Sequence, residues 1–441
     1  MSPTVPDPHE EFRTRLVKAV ADLAMVDPES DTPLAGEVPV GRQRRRLGSR
    51  LDDNVGTLLL VERDGVLSWE TGGVPRPRRG VRRARRAGAG AGEVVAQLKF
   101  ERLPASKVST FLADLDLKLT PGHAAEPLRA LQPDGSFARV DAPVPAGRVL
   151  LLVHGTFSRC DAMIEELKSH PEGARFLADL PRRYDQVLAF DHRTVGVSPM
   201  LNAVDLARRF AGSAATVDVI SHSRGGLVSH WWSRALPAGT AKPGRIVCVA
   251  SPLGGTSLAA PPRLRAALGL LTNVGRALGG AMAAVPFLQA GAGLMRLCAG
   301  ALSVGASTPL VDAAVAMIPG LAAQSREGHN PELIELRRYA PRPEPAYFAI
   351  CSNFEPTAPA WRFWEWFRKD RLGDLGADLV FDGPNDLVVD TASMRELADG
   401  LQIDPANVHD FGTNPDVHHC NYFAQPKTVE RLRAWLEVPQ A

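Results

Sequence analysis

Short apolar runs alternate with helix-length segments from residue 146 onward. The runs are RVLLLVHG, YDQVLAFD, TVDVIS, GRIVCVAS and AYFAICS, and each ends in small or polar residues. Continuous apolar strands of this kind are buried on both faces, as in a parallel sheet covered by helices. The pattern predicts an α/β domain over residues 146–441, with a mainly parallel sheet flanked by helices. Ligands of such sheets bind at the carboxyl ends of the strands, so function is expected there.

The first 145 residues follow a different pattern. Residues 10–26 have apolar positions at helical spacing, which predicts a leading amphipathic helix. Its apolar face carries Phe12, Leu16, Val20 and Leu23. Residues 54–70 predict two strands joined at Asp64-Gly65, a favoured hairpin turn, and alternation predicts a third strand over 94–100. We therefore expect residues 1–145 to form a small α+β appendage.

A long insertion separates the fourth apolar run from the fifth. It is about 90 residues long, far more than one connection needs. One of its helical stripes consists of Leu264, Leu268, Leu271 and Leu278. We predict a helical cap, residues 257–340, inserted in this α/β domain over the strand ends. Its apolar character suits a lipophilic ligand, and the alternative is that these faces pack only on each other.

A second insertion concentrates aromatic residues. Trp and Phe fill five of the seven positions from 361 to 367. Aromatic side chains on every side of a helix do not all face one core. They are expected to line an apolar ligand pocket or to pack in the interior. The alternative is peripheral contact with a lipid surface, where Trp is favoured.

Composition places the chain among soluble globular proteins. It has 441 residues, of which 45% are hydrophobic and 23% charged, and its net charge is +2. The N-terminus MSPTVPDPHEEF lacks the basic and apolar regions of a secretory signal. The five cysteines are far apart and odd in number, which favours free thiols and a cytoplasmic location. The uncharged stretch 277–295 is mostly Ala and Gly and is not expected to span a membrane.

Seven arginines lie between Arg76 and Arg86. Such a run is compatible with an anionic surface or nucleic acid. However, Pro, Gly and like charges predict a solvated loop, and no aromatic residues are interleaved to stack on bases. No nucleic-acid partner is expected, and the sequence identifies no partner protein.

The stretch TVDVISHSRGGLVSH combines a strand, a sharp turn and the start of a helix. A nucleophile elbow needs small residues two positions before and after the nucleophile, because strand and helix pass close together. Around Ser223 these positions are Ser221 and Gly225, whereas around Ser221 the first would be the bulky Val219. Ser223 is therefore the predicted nucleophile. His222 is expected to support the turn.

The strand end VHGTF offers a partner for this elbow. Gly155 lets the backbone turn so that an N–H faces the reacting centre. The backbone N–H groups of Thr156 and Arg224 are predicted to form an oxyanion hole, supported by the positive end of the following helix. His154 precedes the elbow and is expected to orient the loop.

These elements together resemble the α/β-hydrolase superfamily, and specifically its lipase-like serine esterases. The resemblance covers about residues 146–440 and rests on VHGTF, AFDHRTVGVSP, SHSRGG, ASPLGGTSLA, GPNDLVV and HHCNYFAQP. The second motif is similar to the family's D-x-R-G-x-G-x-S loop, with Thr194 where glycine is usual. The family fold implies a catalytic triad in the order Ser, acid, His.

The resemblance also supplies candidates for the acid. Similar enzymes carry it in a G-x-x-D-x-x-V turn, which Gly383, Asp386 and Val389 match. Asp386 is therefore the expected acid, while Asp382 and Asp390 are expected to cap or solvate the loop.

In similar enzymes, a closing helix follows the base and begins around a proline seven residues after it. Pro426 gives His419, with His418 as the alternative. His409 is expected to be structural and paired with Asp410. The histidines beside Cys420 also fit a metal, but no second cluster has ligand spacing, so neither metal nor cofactor is expected.

The resulting hypothesis is a serine carboxylesterase or lipase acting on small-molecule or lipid esters. Ser223, His419 and Asp386 would form the triad. An acyltransferase or a phospholipid or glycolipid deacylase would use the same triad with another acceptor or substrate. An inactive hydrolase fold that serves as a binding module is the alternative from a different class.

Overall fold

In a computed structural model of the chain, the described residues fall into two compact units, of which one holds the three strands before residue 102. The described residues are 55–63, 66–71, 93–101, 128–235, 241–259, 318–326, 330–338, 345–355 and 383–440.

The first unit contains an antiparallel three-stranded sheet in the order β2-β1-β3. The strands are β1 (Val55–Arg63), β2 (Val66–Thr71) and β3 (Glu93–Glu101). Arg63 pairs with Val66, so two residues join the first two strands, as the hairpin signal predicts. The predicted helix over 10–26 and the arginine run lie outside the described residues.

The second unit is built on an eight-stranded sheet in the order β13-β10-β9-β8-β6-β7-β4-β5. Its strands are β4 (Leu128–Leu131), β5 (Phe137–Arg139), β6 (Arg148–Val153), β7 (Gln186–Phe190), β8 (Thr216–His222), β9 (Lys242–Val249), β10 (Ala346–Phe354) and β13 (Val408–Asn414). A small two-stranded sheet consists of β11 (Glu396–Ala398) and β12 (Leu401–Gln402).

Seven described α-helices belong to this unit. They are α1 (Cys160–Lys168), α2 (Pro171–Asp179), α3 (Pro199–Arg209), α4 (Gly225–Ala235), α5 (Pro319–Ala322), α6 (Pro331–Arg338) and α7 (Pro426–Leu436).

Both faces of the central sheet are buried, which explains the unbroken apolar runs. Along β6, Leu150 and Leu152 face a core that includes Ile164 of α1 and Leu432 of α7. Val149, Leu151 and Val153 alternate with them and face a second core, which includes Leu206 of α3 and Trp232 of α4. The period of two thus divides one apolar strand between two helical layers. The five predicted strands and the parallel α/β architecture are confirmed.

The sheet extends further toward the N-terminus than the predicted boundary at residue 146. Strands β4 and β5 pair with each other and β4 pairs with β7, all antiparallel. Their short, partly polar sequences carry no run like those of the central strands, because they lie at the sheet edge.

One buried arginine connects this edge of the sheet to two carboxylates. Arg129 of β4 donates to Asp191, which follows β7, through Nε at 2.8 Å, and to Asp161 of α1 at 2.7 Å. The guanidinium also lies 4.7 Å from the centre of the Phe137 ring. The side chains of Arg129 and Asp191 are 5% and 0% exposed, so neither charge has water as an alternative partner.

The strand order and the turn after β8, described below, make this an α/β-hydrolase fold. Among the described residues, no helix is both long and apolar enough to cross a membrane. The stretch 277–295, the aromatic insertion around 361–367 and most of the predicted cap lie outside them.

Replacing Arg129 by Met should strongly destabilise the protein, because Asp191 then keeps a buried charge without its cation. Removing one partner of a buried pair costs about 3–5 kcal/mol. Equilibrium urea unfolding measures the free energy of unfolding. Arg139→Met is the matched control, since its pair with Asp141 is largely exposed. Equal losses in the two variants would contradict the structural role of Arg129.

Candidate active site

Ser223 occupies the sharp turn between β8 and α4. Its φ is +53°, in the left-handed region that residues other than glycine rarely adopt. The Ser223 N–H donates to the carbonyl of Val249 at 2.9 Å, and its own carbonyl accepts from Gly226 at 2.9 Å. A serine held in a strained strand-to-helix turn is the geometry of a nucleophile elbow.

Close backbone contacts explain the small residues around this turn. A Cβ on Gly225 would lie 2.3 Å from the Val153 carbonyl oxygen. A Cβ on Gly155 would lie 2.7 Å from the Ser223 Cβ. Ser221 is fully buried and its hydroxyl donates to the Val247 carbonyl at 3.2 Å. Ser221 therefore serves packing, and the 155–156 peptide lies directly beside Ser223.

The predicted acid and base lie together. His419 Nδ1 is 2.9 Å from Asp386 Oδ2, and both side chains are buried. The His419 N–H also donates to the Asp386 carbonyl at 3.0 Å. The other carboxylate oxygen accepts from the N–H groups of Val388 and Val389 at 3.1 and 2.8 Å. The turn that carries Asp386 thus holds its carboxylate in a fixed orientation.

Tyr422 is a further partner of this carboxylate that the sequence analysis missed. Its hydroxyl donates to Asp386 Oδ2 at 3.1 Å, on the same oxygen that His419 contacts. Burial raises the pKa of Tyr422 well above its usual value, so the hydroxyl keeps its proton. No spacing rule marks this tyrosine, because it reaches Asp386 only through the turn after His419.

His222 connects the elbow at Ser223 to the loop that carries His419, the candidate base. Its Nε2 lies 2.9 Å from the carbonyl oxygen of His419, and the two rings are 4.9 Å apart between centroids. Burial, with a smaller effect of His419, lowers the pKa of His222 to about 3. The neutral ring must therefore carry its proton on Nε2 to donate to this carbonyl. The residue next to Ser223 thus contacts the residue that carries the candidate base.

His418 occupies a different environment from His419. Its Nδ1 accepts the N–H of Cys420 at 3.3 Å, and its ring packs edge-on against Phe354 at 5.6 Å. Burial lowers the pKa of His418 to about 4. Of the two neighbouring imidazoles, it is that of His419 whose Nδ1 contacts Asp386.

The two predicted oxyanion donors flank Ser223 on separate loops. Thr156 follows β6, and its hydroxyl donates to Gln324 Oε1 at 3.1 Å. Arg224 lies between Ser223 and the first residue of α4, whose positive end favours a developing negative charge. The buried guanidinium of Arg224 donates to the Val197 carbonyl at 2.6 Å and to Asn202 Oδ1 at 2.7 Å, which anchors this position.

Both ring nitrogens of His154 are engaged by the backbone. Nδ1 contacts the Gly155 carbonyl at 2.8 Å, and Nε2 accepts the His192 N–H at 3.0 Å. The two imidazoles are stacked 4.2 Å apart, and burial lowers the pKa of His154. His154 orients its loop and has no nitrogen available to act as a general base.

The remaining candidates have structural contacts. Asp390 accepts from the N–H and hydroxyl of Ser257 at 2.9 and 3.2 Å, whereas Asp382 lies outside the described residues. The predicted pairing of His409 with Asp410 is wrong. Asp410 pairs with Arg395, because alternate residues of β13 point to opposite sides of the strand.

Within the part of the chain that the structure describes, no group of three His, Cys, Asp or Glu side chains has a geometry that would hold a metal ion. The described cysteines, Cys160, Cys248, Cys351 and Cys420, are free thiols.

Comparison with known proteins places this site in a sequence family. A family model described as "Domain of unknown function (DUF7379)" matches residues 125–437. The chain belongs to the DUF7379 family. The match begins just before β4 and ends just after α7, so the whole eight-stranded sheet lies within the DUF7379 domain. No curated protein sequence matches the chain.

Several solved structures are similar to this DUF7379 chain at low identity. The mature lipase BlEst2 of Bacillus licheniformis is 15% identical, with 70% of this chain and 97% of that chain covered and a TM-score of 0.35. The metagenomic carboxyl esterase MGS0156 is 17% identical, with coverages of 69% and 79% and a TM-score of 0.35. MenH from S. aureus is 12% identical, with coverages of 68% and 96% and a TM-score of 0.34.

The DUF7379 protein should lose stability in mild acid through His418. An exposed imidazole has a pKa near 6.5, whereas that of His418 is lowered to about 4 in the folded state. Unfolding therefore takes up a proton between these values. The stabilisation is fully present above about pH 6.5 and is lost as the pH falls toward 4, by up to about 1.4 kcal/mol per pH unit.

Urea unfolding between pH 7 and pH 4.5 measures this slope. His418→Asn should reduce the slope by about one proton in the window between the two pKa values. An unchanged slope would show that His418 does not take up this proton.

Proposed function

We propose that this protein is a serine hydrolase that cleaves carboxylic esters, with a lipophilic acyl group as the favoured substrate. The observation that carries the proposal is the Asp386–His419 pair, held by His222 against the elbow of Ser223. A nucleophile, an imidazole and an oriented carboxylate are the three groups that acyl-enzyme chemistry requires.

In the proposed mechanism, Ser223 Oγ attacks the ester carbonyl while His419 Nε2 takes the hydroxyl proton. Asp386 accepts the hydrogen bond from Nδ1, which fixes the tautomer and stabilises the imidazolium. The N–H groups of Thr156 and Arg224 stabilise the oxyanion of the tetrahedral intermediate. His419 then protonates the departing alkoxide, and the acyl-enzyme forms.

Hydrolysis completes the cycle. His419 takes a proton from a water molecule, whose oxygen attacks the acyl carbon, and the proton returns to Ser223 Oγ as the acid leaves. The chemistry needs no cofactor. The preference for a lipophilic acyl group rests on the apolar sequence of residues 257–340.

Ser223→Ala and His419→Asn should each abolish hydrolysis of p-nitrophenyl esters. Loss of a triad member costs about 10⁴-fold or more in kcat, because the remaining groups no longer generate the nucleophile. An alkyl fluorophosphonate should label the wild-type protein at Ser223, as peptide mass spectrometry would show.

His418→Asn is the matched control, since it changes the neighbouring imidazole. It should keep most of the wild-type kcat, because the imidazole whose Nδ1 contacts Asp386 is that of His419. Wild-type turnover by Ser223→Ala would contradict the proposal. Absence of labelling and of hydrolysis in the wild type would favour a binding module.

Tyr422→Phe should lower kcat by about three- to tenfold, because one buried hydrogen bond contributes about 0.5–1.5 kcal/mol. The substitution leaves Asp386 in place but removes the second donor to Oδ2. Tyr184→Phe is the control. Tyr184 donates to Asp218 at 3.0 Å at the opposite end of the strands, and its loss should not change kcat. Equal effects of both variants would show that Tyr422 acts only through general stability.

A further inference from the structure

The chain returns from the long insertion through a segment that contacts three loops at the carboxyl ends of the strands. We call residues 318–326 the return segment. Its Gly320 N–H donates to the Val195 carbonyl at 2.9 Å, on the loop after β7. Its Gln324 carbonyl accepts the Thr256 N–H at 2.7 Å, on the loop after β9. Its third contact is the side-chain bond from Thr156, on the loop after β6.

Gln324 is the centre of these contacts. It is 5% exposed, and its own N–H donates to the Leu321 carbonyl at 2.9 Å. Its side-chain Nε2 donates to the Gly320 carbonyl at 2.6 Å. Because only the amide nitrogen carries hydrogens, this bond fixes which end of the side chain faces Thr156. Oε1 is therefore the acceptor and the Thr156 hydroxyl is the donor.

The hydroxyl bond fixes one of the predicted oxyanion donors. The 155–156 peptide lies against Ser223, because a Cβ on Gly155 would come within 3.2 Å of Ser223 Oγ. The Thr156 side chain extends from this peptide to a buried acceptor on the return segment. The position of the Thr156 N–H relative to Ser223 thus depends on a residue 168 positions away in the chain.

We propose that Gln324 is a positioning residue that holds the Thr156 backbone N–H in place for oxyanion stabilisation. The inference rests on the proposed function. It makes the rate of the chemical step depend on how the insertion rejoins the sheet. Ground-state binding of the ester does not involve this bond, so kcat should respond and KM should not.

The experiment is a double-mutant cycle with Gln324→Met and Thr156→Val in the full chain. Gln324→Met keeps the side-chain length without its amide, and Thr156→Val keeps the backbone N–H without the hydroxyl. Each should lower kcat for a p-nitrophenyl ester about tenfold with KM unchanged, because a donor displaced by a fraction of an ångström loses much of its effect. The double variant should be no slower than the slower single variant, since both remove the same bond.

A second readout separates positioning from packing. An alkyl trifluoromethyl ketone forms a tetrahedral adduct with the serine and should bind each variant more weakly by the factor lost in kcat/KM. Gln402→Met, on exposed β12, is the matched control and should equal the wild type in both measurements. If Gln324→Met does not fold, as judged by thermal unfolding, Thr156→Val decides with the same two readouts.

The outcomes separate the inference from the function. Fluorophosphonate labelling of Ser223 and ester hydrolysis in the wild type test the proposed function. If both are present and Gln324→Met has a kcat within about twofold of wild type, the inference is overturned and the function stands. Losses that multiply in the double variant would also overturn it, because the two residues would then act separately.

Discussion

The left-handed conformation of Ser223 is the constraint on which the surrounding structure depends. With Ser223 at φ +53°, the chain reverses over two residues between β8 and α4, so strand and helix pass too close for ordinary side chains. A Cβ on Gly225 would clash with the carbonyl of Val153, and a Cβ on Gly155 would clash with Ser223 itself. Such a conformation costs about 1–3 kcal/mol for a residue other than glycine. It persists because β6 and β9 hold the turn on both sides.

From this turn a continuous series of hydrogen bonds runs to the candidate acid. His222 contacts the carbonyl of His419, His419 contacts Asp386, and Asp386 accepts from Tyr422. These bonds join β8 to two loops that are distant in sequence. His419 and Tyr422 lie close together in the sequence, since Tyr422 follows His419 by three residues. The position of the candidate base is therefore set by the fold of its own short loop and by its contacts with His222 and Asp386.

Sequence reasoning found the parts of this arrangement that follow from local rules. The apolar runs predicted the central strands, because a strand buried on both faces has few alternatives in composition. The elbow at Ser223 was accessible because close packing restricts its neighbours to small residues. The turn of Asp386 and the order of acid and base came from the resemblance to α/β-hydrolases. The edge strands β4 and β5 were missed, since partly exposed strands carry a weaker pattern.

Long-range polar contacts are what the sequence did not reveal. Gln324 and Tyr422 have no motif, and each forms a hydrogen bond with a partner that only the tertiary structure supplies. The same applies to Arg129, whose two carboxylates come from different elements. A buried polar side chain is stable only when its hydrogen bonds are satisfied, so each of these contacts restricts several loops at once. The carboxyl ends of β6, β7 and β9 are therefore held by the return segment as well as by the sheet. A site assembled in this way depends on how the insertion rejoins the fold, whatever structure the insertion has elsewhere.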